Sequence, residues 1–125
     1  GKLPKALQAS VFDMYVNSGN NAVRILQRLL TAMGFPLADD GTIGPKTIAA
    51  CEKAAKSAPD HLADAYSIAR RNYYFQLADR RPASRKYART RAGGKGGWIK
   101  RAEEFLSAQY HLSDQEFRER VAPWG

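Results

Sequence analysis

At 125 residues, 44% of them hydrophobic, the chain has the length of one domain and enough apolar material to bury one continuous core. It has no run of the ~18–20 apolar residues that a membrane span requires, no basic region followed by an apolar signal core at its start, and only one cysteine, Cys51, which excludes an internal disulfide and a CxxC zinc or redox motif. The net charge of +8 sits in one place: residues 80–101 carry nine basic side chains and no acid, which leaves 11 basic against 12 acidic residues in the rest.

Leu7, Val11 and Met14, with Phe12 and Val16 beside them, recur at intervals of three and four and predict a helix from Pro4 to about Val16. Asn17-Ser18-Gly19-Asn20 ends it, because Asn and Gly accept the left-handed backbone of a helix C-cap. Val23, Leu26, Leu30 and Met33 form the stripe of a second helix over 21–33, closed by Gly34 and Pro36. The stretch DDGTIGPKT, Asp39 to Thr47, then carries more turn chemistry than a plain connector needs, and a small hairpin near it is the most β structure the sequence supports. Pro45 suits the first turn of a third helix, whose apolar side is Ile48, Ala49, Cys51 and Ala55.

Pro59-Asp60 starts the fourth and longest helix, about 60–80, with the stripe Leu62, Tyr66, Ala69, Tyr73 and Leu77, and Pro82 stops it. A short basic segment over 84–91 reads as helical, Gly93 to Gly97 as a flexible break, and Trp98 to about Tyr110 as a helix with Ile99, Ala102, Phe105 and Leu106 on its apolar side. Ser113-Asp114-Gln115-Glu116 is a capping box that opens a last short helix. The expectation is an all-α fold, one compact domain over 1–125 with five to seven helices.

Metal chemistry finds no ligand set here. A calcium loop with its glycine at Gly41 would need acids where Pro36, Ala38 and Thr47 stand, and His61 and His111 lie far apart. No GxSxG elbow is present, Cys51 lies on an alanine-rich helix as a packing residue, and no cofactor motif occurs, so none is expected. Carboxylate chemistry needs only two suitably spaced acids. Most acids have helix-capping or ion-pairing roles, but Asp13 shares a face of small and polar residues with Ala6, Ala9 and Asn17. That face either admits another helix or lines a cleft; Asp13 is the one catalytic candidate, set against a structural role at the Asn17-Ser18-Gly19 turn. Tyr73, Tyr74 and Phe75 advance about 100° each around a helix, so at least one ring reaches a second surface. With Tyr87, Trp98 and the nearby arginines, such rings suit stacking on sugars or bases.

Taken together, the motifs resemble a known family. Leu26-Gln27-Arg28-Leu29-Leu30, Gly34, Asp40 to Thr47 and Ala50 resemble the LQ…G…DG.xGP.T..A signature of bacterial peptidoglycan-binding domains. Joined by Asp13 to Gly19, Arg70-Arg71-Asn72-Tyr73-Tyr74, Arg81-Pro82 and Gly97 to Arg101, in that order, the set resembles the C-terminal predicted peptidoglycan domain of the glycoside hydrolase 108 lysozyme family, which includes phage endolysins and secretion activator proteins. The resemblance spans about residues 4–106 and implies a lysozyme-like or peptidoglycan-binding-domain-like helical bundle; the helical tail over 107–125, read from its capping box, has no counterpart in it. It implies a bacterial cell-envelope, secreted or phage-lysis setting, and a parent N-acetylmuramidase whose catalytic glutamate lies in an EGGY motif of an N-terminal half. No such motif occurs in these residues, so the expectation is the binding half, with that catalytic half as partner and little hydrolysis of its own.

The residues expected to touch substrate are Asp13, Tyr15, Asn17, Tyr73, Tyr74, Trp98 and Arg101, and the expected ligand is peptidoglycan or another anionic wall polymer, which positive charge over 80–101 would attract over long range. Two readings compete with it: a peptidoglycan hydrolase acting through Asp13, and a nucleic-acid-binding helical domain using 80–101. Against the second, nine charges spread over a glycine-broken segment give no recognisable base-reading helix.

Overall fold

The computed structural model describes residues 3–57 and 61–125. Among these residues all regular structure is helical: α1 (Lys5–Ser18), α2 (Asn21–Ala32), α3 (Pro45–Ser57), α4 (Leu62–Arg80), α5 (Arg85–Ala88), α6 (Gly97–Glu104) and α7 (Asp114–Val121), with 3-10 turns at Pro82–Ser84, Ala108–Tyr110 and Ala122–Trp124. The all-α expectation holds. No described helix is long and apolar enough to cross a membrane. The expected helix start at Pro59-Asp60 lies outside the described residues.

Backbone contacts group the chain into two compact units, residues 1–70 and 71–125. The first unit is built on α1, α2, α3 and the first half of α4. Leu7, Val11 and Met14 of α1 and Val23, Leu26 and Leu30 of α2 are buried, as their spacing predicts, whereas Phe12 and Val16 stand out in solvent at 68% and 72% exposure. On α3 Cys51 is buried as expected, but the other buried residues are Thr47, Ala50 and Ala54, each one position away from the expected Ile48, Ala49 and Ala55. Burial pushes the Cys51 thiol up to about 11, with Glu52 adding to it, so this cysteine is a packed, unreactive side chain.

The buried line of α4 also departs from prediction. Instead of Ala69, Tyr73 and Leu77, the helix buries Arg70, Tyr74, Phe75 and Ala78 after Leu62 and Tyr66. Hydrophobic spacing missed this because the consecutive arginines Arg70 and Arg71 are both core residues, each ion-paired with an acid of its own unit. Arg70, fully buried, donates from its Nη2 to Asp13 Oδ2 at 2.9 Å. Arg71 donates from Nη1 to Glu103 Oε2 at 2.7 Å and to the Tyr110 carbonyl at 2.9 Å.

Glu103 is the hub of the second unit: it also accepts from Lys95 Nζ and, at 2.9 Å, from the backbone N–H of Leu112. Burial pushes the Glu103 carboxyl up, but these donors outweigh it and hold it below the ordinary glutamate range. Beyond Glu104 the chain does not continue as the helix expected to Tyr110; it turns, because Arg71 and Glu103 capture the backbone at Tyr110 and Leu112. The capping box is formed as predicted, with Glu116 N–H on Ser113 Oγ at 3.1 Å and Ser113 N–H on Glu116 Oε1 at 2.8 Å. Through it α7 delivers Phe117 and Val121 into the core, where Phe117 meets Phe75 at 6.1 Å between ring centres.

The only β feature among the described residues is an antiparallel bridge between Arg89 and Lys95, so the hairpin lies in the glycine cluster and not near the DDG turn. The cluster is a pinned corner: Gly96 donates to the Ala88 carbonyl at 2.8 Å, and a Cβ at Gly96 would lie 2.7 Å from Ala88 C and Tyr87 O. Only glycine permits so close an approach.

Candidate functional site

The DDGTIGPKT stretch is held by a residue from the preceding helix. Gln27 of α2 is buried, and its Oε1 accepts the Gly41 N–H at 3.0 Å while its Nε2 points at Asp40 Oδ1 (2.9 Å), the Thr42 carbonyl (3.1 Å) and Thr47 Oγ1 (3.3 Å). Thr42 N–H closes the turn on Asp40 Oδ1 at 2.9 Å. The Thr42 N–H first, and then Gln27, hold the Asp40 carboxyl below its ordinary range. The LQ and DG elements of the sequence are thus two halves of one hydrogen-bonded lock. Gly41 is required twice over: its φ is +74°, and a Cβ there would come within 3.0 Å of Asn20 Cβ and 3.2 Å of Arg24 Nε. Outside the turn, Arg28 Nε pairs with Asp39 at 2.7 Å.

So fixed, the turn forms one wall of an open groove of ≈ 610 Å³ in the first unit. Gly41, Thr42 and Ile43 of the turn, with Ile48 of α3, line that wall. Gln8, Phe12 and Tyr15 of α1, spaced four and three apart and so on one helical face, line the other. Val11 and Val23, both buried, and Asn20 lie between. Phe12, Tyr15 (47%) and Ile43 (40%) are large apolar side chains left facing solvent. The lining contains no charged side chain. Such a surface offers aromatic faces, an apolar floor and a few amide and hydroxyl groups, the usual composition of a site for a small, mostly neutral ligand.

The sequence-predicted residues distribute unevenly around it. Tyr15 lines the groove. Asp13, on the same helix, is turned to Arg70 and is the counter-ion of a buried guanidinium, which accounts for an acid on that small-residue face. Of that face, Ala6, Ala9 and Asn17 are exposed while Asp13 reaches Arg70 of α4; the buried approach of α1 to α4 lies beside it at Ser10, whose hydroxyl comes to 3.5 Å from that of Ser67, and Tyr66 hydroxyl donates to the Ala22 carbonyl of α2 at 2.8 Å. Asn17 is exposed and accepts from the Ser18 hydroxyl at 2.8 Å.

Tyr73, Tyr74 and Trp98 belong to the second unit. Tyr74 is fully buried and stacked on Trp98 at 4.8 Å and 18°, so it presents no surface to a ligand, contrary to expectation; Tyr87, half exposed, lies against the same Trp98 at 5.2 Å. Arg101 is exposed and pairs with Glu104 at 3.1 Å. Sequence reasoning missed Gln8, Phe12, Asn20 and Ile43. Phe12 carried a signal, since it sits about 100° around the helix from the Leu7–Val11–Met14 stripe and had no partner stripe of its own.

No curated protein and no solved structure matches the chain. The family model described as Predicted Peptidoglycan domain matches residues 21–103, well over half of the chain, taking in α2 to α5 and nearly all of α6. The match includes the Gln27 lock and the turn wall of the groove, while the α1 wall precedes it. The chain belongs to the Predicted Peptidoglycan domain family.

Proposed function

We propose that the chain is a peptidoglycan-binding module and that the groove between α1 and the 41–43 turn receives a segment of the glycan strand. Family membership supports a cell-wall-binding module. The observation that carries the placement is the pairing of two exposed aromatic rings, Phe12 and Tyr15, with an apolar floor and an uncharged lining. Pyranose rings present C–H faces that pack on aromatic rings, and N-acetyl groups combine a methyl, which suits the apolar floor, with an amide, which suits Gln8, Asn20 or Thr42. A rigid wall matters as much as the rings, because a preorganised site loses less entropy on binding. Gln27 supplies that rigidity.

In this reading the module holds a lysozyme-type muramidase on the wall and does not itself cut it; the commitment of Asp13 to Arg70 supports a binding role over a hydrolytic one. The test is a titration of the full chain with soluble N-acetylglucosamine oligomers, followed by NMR. Signals of Phe12, Tyr15, Thr42 and Ile43 should move and those of Tyr87 and Arg91 should not. Shifts confined to the second unit, or none at saturation, would contradict the placement.

A further inference from the structure

The second unit carries a separate cleft of ≈ 490 Å³, lined by Arg85, Lys86, Arg89, Thr90, Arg91 and Gly93 among others, with four cationic side chains and no acidic one. Two of the cations are held in place by the fold. Arg85 donates from Nε to the Ala78 carbonyl at 2.9 Å and from Nη2 to the Asp79 carbonyl at 3.1 Å, while Arg89 donates from Nη1 to the Gly125 carbonyl at 2.8 Å. Both guanidinium groups lie over the Trp124 ring, at 5.4 and 5.5 Å. Trp124 is itself fixed by its indole N–H on Asp79 at 2.7 Å. The remaining two, Lys86 and Arg91, are exposed, and neither forms a salt bridge with an acidic side chain among the described residues.

The loop opposite is equally fixed. Thr90 N–H reaches the Gly94 carbonyl at 2.9 Å, Gly94 N–H returns to Thr90 Oγ1 at 3.1 Å, and the Arg89–Lys95 bridge closes the base. Four like charges gathered on fixed backbone, with no acidic side chain lining the cleft, repel one another in the free protein and attract a multivalent anion. Guanidinium forks match the oxygens of phosphate, and lysine adds a point charge.

We infer that this cleft binds phosphate groups, and that on the wall they are those of a phosphodiester polymer attached to or lying among the glycan strands. The choice of polymer rests on the peptidoglycan-binding reading; the phosphate site does not. A compact cleft favours one or two phosphates from such a polymer over nucleic acid, which would be tracked by a longer cationic stripe or a groove-filling helix. Two sites of different chemistry on one short chain, one for a neutral ligand and one for an anionic ligand, give the module two handholds on a wall that contains both.

The test uses the full chain, with poly(glycerol phosphate) as the probe, and duplex DNA and phosphate-free glycan as the other arms. The Lys86→Ala/Arg91→Ala double variant leaves the Arg85, Arg89 and Trp124 framework in place, and Lys53→Ala on α3 serves as a charge control. Binding of poly(glycerol phosphate) should weaken about tenfold in the double variant and under about twofold in the control, with steep salt dependence. Equal losses in both variants would show a general charge effect and overturn the site. Duplex DNA bound more tightly than poly(glycerol phosphate) at the same ionic strength would overturn the choice of polymer. Phosphate-free glycan should be held equally by the double variant and the wild type, which separates failure of this site from failure of the groove.

Discussion

Gln27→Ala is the most informative single change, because this side chain joins the two sequence elements that define the family resemblance. The substitution removes the acceptor of the buried Gly41 N–H and the donor to Thr42 O and Thr47 Oγ1. An orphaned buried backbone donor costs roughly 1–3 kcal/mol, and the lost side-chain packing adds about 1 kcal/mol, so the loss should be about 2–4 kcal/mol. With a urea slope of about 2 kcal/mol/M, the unfolding midpoint of the first unit should fall by roughly 1–2 M. Both tryptophans, Trp98 and Trp124, lie in the second unit, so fluorescence would follow the wrong half. Circular dichroism together with hydrogen exchange at the Gly41 amide is the suitable assay. Gln27→Glu sharpens it: the acceptor for Gly41 survives, but a second carboxylate faces Asp40, so the deficit should shrink as pH falls toward about 4. A Gln27→Ala midpoint within about 0.3 M of wild type, with the Gly41 amide still protected, would refute the lock.

Other expectations follow from the same geometry. Gly41→Ala should cost at least about 1–2 kcal/mol, since the left-handed backbone is unfavourable for alanine and the Cβ meets Asn20; thermal denaturation reads this directly. Asp13→Ala should destabilise by roughly 3 kcal/mol by stranding buried Arg70, and Asp13→Ala/Arg70→Met should recover much of that loss in chemical denaturation. Glu103 and Asp79 have lowered folded-state pKa values, so each contributes stability that is fully present above its unfolded value and is lost as pH falls through the folded one. The second unit should therefore hold its melting temperature at neutral pH and lose it progressively below about pH 4.5, the ordinary glutamate value, and Glu103→Gln should flatten that slope while lowering stability at pH 7.

Much of the fold was legible because local signals and burial agree. The Leu7–Val11–Met14 and Val23–Leu26–Leu30 stripes, Pro45 at the start of α3 and the Ser113–Glu116 capping box all appear where spacing put them. Reading failed where charge is buried. A pattern that treats arginine as surface cannot place Arg70 and Arg71 in two cores, and so it rotated the α4 stripe onto Ala69, Tyr73 and Leu77. It failed again at Tyr110 and Leu112, where backbone is captured by Arg71, Lys95 and Glu103 far away in sequence. The groove was only half visible. Tyr15 was named from a motif, but Phe12, Gln8 and Ile43 acquire meaning only once the Gln27 lock brings the 41–43 turn opposite α1.

The central claim is that Phe12 and Tyr15 form a glycan-binding wall and not a stray apolar surface. Both side chains are exposed, so Phe12→Ala/Tyr15→Ala should leave stability within about 1 kcal/mol of wild type. The direct measurement is co-sedimentation with insoluble peptidoglycan freed of phosphate polymers. The account predicts firm retention of the wild type and at least about a tenfold loss of affinity in the folded double variant. Equal retention of the two proteins, or no retention of the wild type, would contradict it.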